Sequence, residues 1–134
     1  MKFDINRLSE LLQERCPEVR FAFLHGSAKE GSVKEGSDID IAFFVEDKPT
    51  LELYKKVSDC VHNVAPGAEC DTGILNHAEP IYRFEALKGK LLFCREQEEY
   101  LRFFSLTCRE YESQMADYER QHKYRLEYIA KGIN

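Results

Sequence analysis

The sequence predicts one α/β (α+β) domain in which a small mixed β-sheet packs on helices and a long helix follows at the C-terminus. Three observations predict this class. The chain has 134 residues, 43% of them hydrophobic, which is enough for a single core. Strand and helix patterns alternate through the first 95 residues, and one helical pattern occupies the rest. We therefore expect a single domain over 1–134, with a core at about 1–95 and a helical extension at about 97–131.

The first part of the chain predicts a helix, two strands and the loop between the strands. Asp4 caps a helix whose leucines share one face, and Pro17 ends this helix. Residues 20–25 (RFAFLH) are apolar and aromatic, which predicts a buried strand. Residues 26–37 (GSAKEGSVKEGS) are rich in Gly, Ser and Lys, so we expect a loop with at most one helical turn. Residues 38–45 (DIDIAFFV) predict the second strand.

Two further helices and two further strands are predicted before residue 95. A helix at about 50–64 carries apolar side chains on one face and ends at Pro66. A third strand follows at 69–75. A second short helix is expected at 78–87, and a brief strand at 91–93 completes the sheet.

The C-terminal third carries a narrow apolar stripe that is typical of a long helix. The stripe advances by alternating steps of three and four residues. Its members are Leu101, Phe104, Cys108, Tyr111, Met115 and Tyr118. Two interpretations stay open: the helix packs on its own sheet, or it contacts a partner protein or a second copy of the chain, as in a homodimer. Under the second, deletion beyond about Phe103 abolishes complex formation and leaves a folded domain.

Composition argues against several classes of protein. The net charge is −5 and no long Lys/Arg run occurs, so direct binding of nucleic acid is not expected. No apolar run approaches the roughly 20 residues of a membrane span, and the amphipathic N-terminus is unlike a signal peptide. The five cysteines are odd in number and lack C-x-x-C spacing, which favours reduced thiols over disulfides or a zinc site. We expect a cytoplasmic protein.

Two carboxylates begin the second predicted strand. Side chains two residues apart on a strand share a face and lie about 7 Å apart, so Asp38 and Asp40 form one acidic pair. Like charges in this position repel each other unless one is protonated or a cation joins them. Mg²⁺ takes one or two carboxylates with waters and substrate phosphates, and two such ions can clamp a phosphoryl transfer. The alternative is a strand that merely ends in solvent.

A turn and a third acid add to this pair. Gly26 follows the first strand and permits close approach of the backbone to a ligand. Ser27 offers an N–H and a hydroxyl to a phosphate, and a helix starting there would add a favourable dipole; an ordinary turn is the alternative. On the third strand, Asp71 could bridge a metal or accept a proton. Glu69 has the same parity and competes for this role, and a solvated strand face explains either acid equally well.

These residues together resemble a known family. The segment LHGSAKEGSVKEGSDIDIAFFV, residues 24–45, is similar to the nucleotidyltransferase signature of a strand, Gly-Ser, ten residues, and Asp-x-Asp on a second strand. CDTGILN, residues 70–76, resembles the strand with the family's third acid, and LKGKLLF, residues 87–93, resembles the glycine turn after the next helix. The small size and the C-terminal helix resemble the minimal nucleotidyltransferase (MNT) antitoxins of the DNA polymerase beta-like superfamily. Those antitoxins are paired with HEPN-domain toxin ribonucleases.

The resemblance implies a nucleotidyltransferase fold, two Mg²⁺ ions and ATP as the substrate. It places Gly26, Ser27 and Lys29 at the nucleotide and Asp38, Asp40 and Asp71 at the metals. Asp71 would also help to activate the acceptor hydroxyl. AMP would pass to a tyrosine of a HEPN toxin, pyrophosphate would leave, and the ribonuclease would be silenced.

The phosphate loop departs from the family pattern. Lys29 and Glu30 stand where Ala and Arg are usual, and we expect Lys29 or Lys34 to replace the missing Arg. An acid in this loop repels a triphosphate, so Glu30 slightly favours a non-catalytic antitoxin that neutralises its partner by binding. A small-molecule adenylyltransferase is a further alternative, for which 134 residues leave little room for an acceptor domain. We expect His25 to pack or to hydrogen-bond within the loop rather than to act in catalysis.

Overall fold

The structure is a computed structural model that describes residues 1–34 and 36–132. Glu35, in the predicted phosphate loop, and Ile133 and Asn134, at the end of the predicted domain, lie outside the described residues. The helices are α1 (Ile5–Arg15), α2 (Leu51–Val64), α3 (Pro80–Leu87) and α4 (Gln97–Ala130). The strands are β1 (Val19–His25), β2 (Asp38–Val45), β3 (Glu69–Ile74) and β4 (Lys90–Cys94). The predicted class and order of elements are confirmed, and the predicted bounds agree with the observed ones to within two residues.

The four strands form one mixed sheet in the order β3-β2-β1-β4. β1 pairs antiparallel with both β2 and β4, whereas β2 and β3 run parallel. A parallel pair needs a crossover connection, and α2 supplies it. As predicted, Asp4 caps α1 by accepting a hydrogen bond from the Arg7 N–H at 3.1 Å.

Helices cover both faces of the sheet. On one face, α1 and α2 pack against alternate residues of β1 and β2, among them Leu24, Ile39 and Ile41. On the other face, α3 and α4 cover Phe21, Phe23 and Ala42. Because strand side chains alternate between faces, the even-numbered acids of β2 lie on the α3/α4 face. The helices leave that face uncovered where the acids stand.

The side of α4 that packs on the sheet differs from the predicted stripe. The buried residues of α4 are Phe103 and Thr107, and Tyr111 stacks on Phe84 of α3 with ring centroids 3.8 Å apart. Leu101 and Phe104, the first two residues of the stripe, are 49% and 42% exposed. The domain-facing side therefore follows α-helical spacing from 103 through 107 to 111, and the predicted stripe of six residues lies partly in solvent.

The second half of α4 extends away from the domain. From residue 116 onward, every described residue of this helix is exposed, including apolar side chains. These apolar residues are Tyr118, Tyr124, Leu126, Tyr128 and Ile129. Charged residues are interspersed along the helix, and within residues 1–34 and 36–132 no helix is long and apolar enough to cross a membrane.

Candidate active site

The strand register brings acids from β2 and β3 together on one face. Asp40 lies opposite Asp71, and Asp38 lies opposite Glu69. Directly paired residues point to the same side of a sheet, so all four carboxylates share the uncovered end of the α3/α4 face. Asp40 is half-buried, and the other three are exposed. Asp71 rather than Glu69 therefore lies opposite the half-buried Asp40.

Burial and neighbouring acids make Asp40 hard to ionise. Partial burial raises the pKa of Asp40 above its ordinary value, and the charges of Asp71 and Asp38 raise it further. His25, which lies opposite Asp40 on β1, lowers the Asp40 pKa and offsets part of this rise. The site therefore concentrates negative charge at one half-buried carboxyl group, and a cation or a proton stabilises that group.

Gly26 packs directly against the Asp40 carboxylate. It has φ +73°, in the left-handed region, and a Cβ at this position would overlap an Asp40 carboxylate oxygen. Glycine is required here both by the backbone conformation and by the space. Ser27 follows, exposed, in a 3₁₀ turn of only three residues, Gly26–Ala28. The single helical turn expected in this loop is thus confirmed, but it is too short to supply a substantial helix dipole.

The rest of the loop is held by the N-terminal segment. The Phe3 N–H donates to the Gly31 carbonyl at 2.9 Å, and the Val33 N–H donates to the Met1 carbonyl at 2.8 Å. Lys34 lines a cavity with Gly36 and Ser37 that does not include Gly26. Of the two lysines expected to replace the missing Arg, Lys29 is the one that lies beside Gly26.

Tyr82, Gly73 and His25 lie near the acids, and the sequence analysis did not assign them to the site. Tyr82 of α3 extends its half-buried hydroxyl over Gly73 of β3, where a Cβ would lie 2.7 Å from the tyrosine Cζ. The Tyr82 hydroxyl is 3.5 Å from His25 Nε2, and the two rings meet edge to face. Burial raises the pKa of Tyr82, as do Asp71 and Asp40. A glycine inside a predicted strand often marks the close approach of another group, so Gly73 was the sequence signal for a neighbour such as Tyr82. His25 packs against the Tyr82 ring, in line with the packing role expected for it.

A cavity of about 260 Å³ opens beside Gly26. Its walls are His25, Gly26, Lys29, Glu85, Lys88 and Gly89. Gly89 belongs to the glycine turn noted in the sequence, and Lys88 had no predicted role.

Within residues 1–34 and 36–132, no three His, Cys, Asp or Glu side chains are grouped closely enough to hold a metal ion as they stand.

Comparison with known families identifies the domain. The family described as polymerase beta, nucleotidyltransferase matches residues 6–98, which is well over half of the chain. This chain belongs to the polymerase beta nucleotidyltransferase family. The matched span includes the whole sheet and the first residues of α4. No curated protein matches the sequence significantly.

Several solved structures of similar fold are toxin–antitoxin complexes. A mutant MntA–HpeT complex matches with TM-score 0.72 and 20% identity over 92% of this chain and 98% of the other. A toxin–antitoxin with AMP-PNP matches with TM-score 0.69 and 21% identity over the same shares. A tri-AMPylated Shewanella oneidensis HEPN toxin in complex with MNT antitoxin matches with TM-score 0.65 and 20% identity, over 91% and 95%. The nucleotidyltransferase fold, including the long C-terminal helix, is therefore shown for this chain.

Proposed function

We propose that this chain is a Mg²⁺-dependent adenylyltransferase that transfers AMP from ATP to a tyrosine of a HEPN-domain toxin. The observation that carries the proposal is the placement of Asp40, which has Asp71 opposite it on the neighbouring strand and Gly26 packed against its carboxylate. Few structural roles need a half-buried acid, a second acid and a left-handed glycine at one point. Together they suit an anionic substrate that is bound with a cation.

The carboxylates fit magnesium by their chemistry and by their electrostatics. Asp38, Asp40 and Asp71 offer only oxygen donors, which Mg²⁺ prefers, and the ion takes its remaining ligands from water and substrate phosphates. The raised pKa of Asp40 reflects repulsion from its neighbours that bound cations would relieve. We assign these three residues to two Mg²⁺ ions, which would neutralise the charge of the phosphates when bound.

The protein groups have separate roles in this reaction. Gly26 and Ser27 bind the triphosphate through the backbone and the Ser27 hydroxyl, with Lys29 beside them. Asp71 orients the acceptor hydroxyl and takes its proton. The tyrosine oxygen forms a bond to the α-phosphorus as the bond to the bridging oxygen breaks, and pyrophosphate leaves with that electron pair.

Two observations support a protein acceptor. The solved structures of similar fold include a complex with a tri-AMPylated HEPN toxin and one with AMP-PNP. In this chain, the exposed apolar residues of α4 continue well beyond the domain, as expected of a helix that contacts a partner. We infer that α4 binds the toxin and holds its tyrosine near Asp71.

A non-catalytic antitoxin is the second candidate. Glu30 is exposed in the phosphate loop and lines a cavity of about 290 Å³ next to that of Gly26, together with Lys29. Its charge opposes a triphosphate. Under this reading the chain neutralises the toxin by occlusion alone.

The test is to incubate the protein with ATP, Mg²⁺ and any HEPN-like protein encoded beside it, and to measure the mass of that partner. We expect a gain of one or more AMP units on a tyrosine, and no gain with the Asp38→Asn/Asp40→Asn double variant. Asp47→Asn, an exposed acid after β2, is the matched control and should modify the partner as the wild type does. A stable complex in which the wild type adds no AMP would overturn the enzymatic proposal and favour occlusion.

A further inference from the structure

The phosphate loop of this chain lacks the usual arginine, yet lysines stand beside it from another part of the fold. Lys29 of the loop and Lys88 at the end of α3 line the same 260 Å³ cavity as Gly26. Lys29 and Lys88 also line the adjoining cavity of about 290 Å³, where Lys90 of β4 joins them. These lysines come from two segments that lie almost 60 residues apart in the sequence.

Close packing of a glycine turn brings these two segments together. A Cβ on Gly89 would lie 2.5 Å from the Leu24 carbonyl oxygen and 2.8 Å from the His25 Cβ, so only glycine lets the turn approach the end of β1. Lys90 pairs with Leu24 in the β1–β4 register. The turn therefore holds Lys88 next to the residues that lead into Gly26, whereas Lys90 lies on the face of Leu24, opposite the face of the acids.

The charges of the two cavities favour an anion. Their walls carry three lysines and two glutamates, Glu30 and Glu85. Lys88 pairs with Glu85 at 3.1 Å, but both side chains are more than half exposed. Exposed ion pairs of this kind are weak, so a phosphate group can replace Glu85 as the partner of Lys88 at little cost.

We propose that Lys29 and Lys88 bind the β- and γ-phosphates of the nucleoside triphosphate. This inference rests on the proposed function and deepens it, because it names the groups that replace the missing arginine and neutralise Glu30. The Asp38/Asp40 end of the site takes the α-phosphate, and the glycine turn takes the part of the substrate that leaves as pyrophosphate. Binding should therefore select triphosphates over monophosphates.

The experiment compares binding of AMP-PNP and of AMP, each with Mg²⁺, to the full chain by isothermal titration. Lys88→Ala and Lys29→Ala should each weaken AMP-PNP binding about tenfold, as loss of a charge-assisted contact predicts, and leave AMP binding within about twofold. Inorganic triphosphate should compete with AMP-PNP on the wild type and compete poorly on the variants. Lys55→Ala, at an exposed lysine on α2, is the control and should change neither affinity.

Glu85→Gln provides a result of opposite sign. It removes an acid from the same cavity and frees Lys88, so AMP-PNP should bind more tightly, which a purely structural role of Lys88 would not produce. Lysine variants that bind AMP-PNP as the wild type does, or that lose AMP equally, would overturn the inference while the proposed function stands. A wild-type chain that binds no AMP-PNP with Mg²⁺ would overturn the proposed function and this inference with it.

Discussion

Both the sequence pattern around Asp40 and its surroundings in the fold indicate a functional acid. Its place in an Asp-x-Asp pair indicates a functional acid, but the spacing alone equally fits two solvated carboxylates. The structure half-buries Asp40, places Asp71 opposite it and packs Gly26 against it. A carboxylate in such surroundings costs stability when it is ionised without a cation, which is the pattern expected at a functional site.

The first prediction concerns the stability of the metal-free protein. The folded-state pKa of Asp40 is raised, so ionisation disfavours the folded chain once the pH exceeds the unfolded value of about 4. This destabilisation grows through the interval between the two pKa values and is complete above the folded one. Asp40→Asn should therefore raise the free energy of unfolding at pH 7, in EDTA, by on the order of 0.5 kcal/mol.

Urea unfolding at pH 7 and near pH 4 checks this prediction. The gain should shrink as the pH falls, because the wild-type carboxyl group then becomes protonated and resembles the amide. Asp47→Asn is again the control, since this acid is exposed and should show a change near zero at both pH values. A variant that is less stable than the wild type at pH 7 would contradict the interpretation of Asp40 as an electrostatically strained group.

At the scale of elements, the absence of a side chain at one glycine of β3 lets α3 place a tyrosine at the site. Gly73 of β3 provides the space in which the Tyr82 hydroxyl lies, and Tyr82 in turn meets His25 of β1. Arg83, the next residue of α3, donates to the Leu75 carbonyl at 2.9 Å and holds the helix against the end of β3. The side of the site opposite Gly26 is therefore shaped by the packing of α3 on β3.

The second prediction tests this packing by a double-mutant cycle. Gly73→Ala inserts a methyl group into the space of the Tyr82 ring, so it should destabilise the fold by about 1–2 kcal/mol. The Gly73 backbone is not in the left-handed region, so strain at that residue does not add to the cost. In a Tyr82→Leu background the same substitution should cost less than about 0.5 kcal/mol, which is a coupling of about 1 kcal/mol. Equal costs in the two backgrounds would show that the two residues do not compete for space.

On the scale of the whole molecule, α4 combines two roles along one helix. Its first half completes the core with Phe103, Thr107 and Tyr111, while its second half projects apolar side chains into solvent. The sequence analysis placed the core at about 1–95 and, if α4 contacts a partner, expected a folded domain after deletion beyond about Phe103. Contacts of α4 with the domain continue about two helical turns beyond Phe103, because Thr107 is fully buried and Tyr111 stacks on α3.

The third prediction compares two truncated chains. The chain 1–116 retains every buried contact of α4 and should unfold within about 3 °C of the full chain. The chain 1–103 loses the Thr107 and Tyr111 contacts and should be less stable by at least about 2 kcal/mol. Thermal unfolding followed by circular dichroism measures both. If the proposed partner contact is correct, 1–116 should also fail to bind the HEPN toxin, whereas toxin binding by a folded 1–116 chain would place the contact on the domain itself.

Local features of the sequence determined the order of the elements, the acidic pair on β2 and the Gly-Ser turn. Strand parity, capping at Asp4 and turn composition act over a few residues, so they can be recognised without knowledge of distant contacts. The heptad stripe of α4 was also visible, but its spacing did not reveal which side of the helix meets the sheet, because periodicity describes a helix and not its neighbours.

Tertiary structure alone decided which groups stand together at the site. The parallel register of β2 and β3 places Asp71 rather than Glu69 beside Asp40. The approach of Gly89 to β1 brings Lys88 next to Gly26 and Lys29, and the space above Gly73 admits Tyr82. The physical reason is that register and helix docking are set by how all the apolar faces pack at once, and no window of neighbouring residues contains that information.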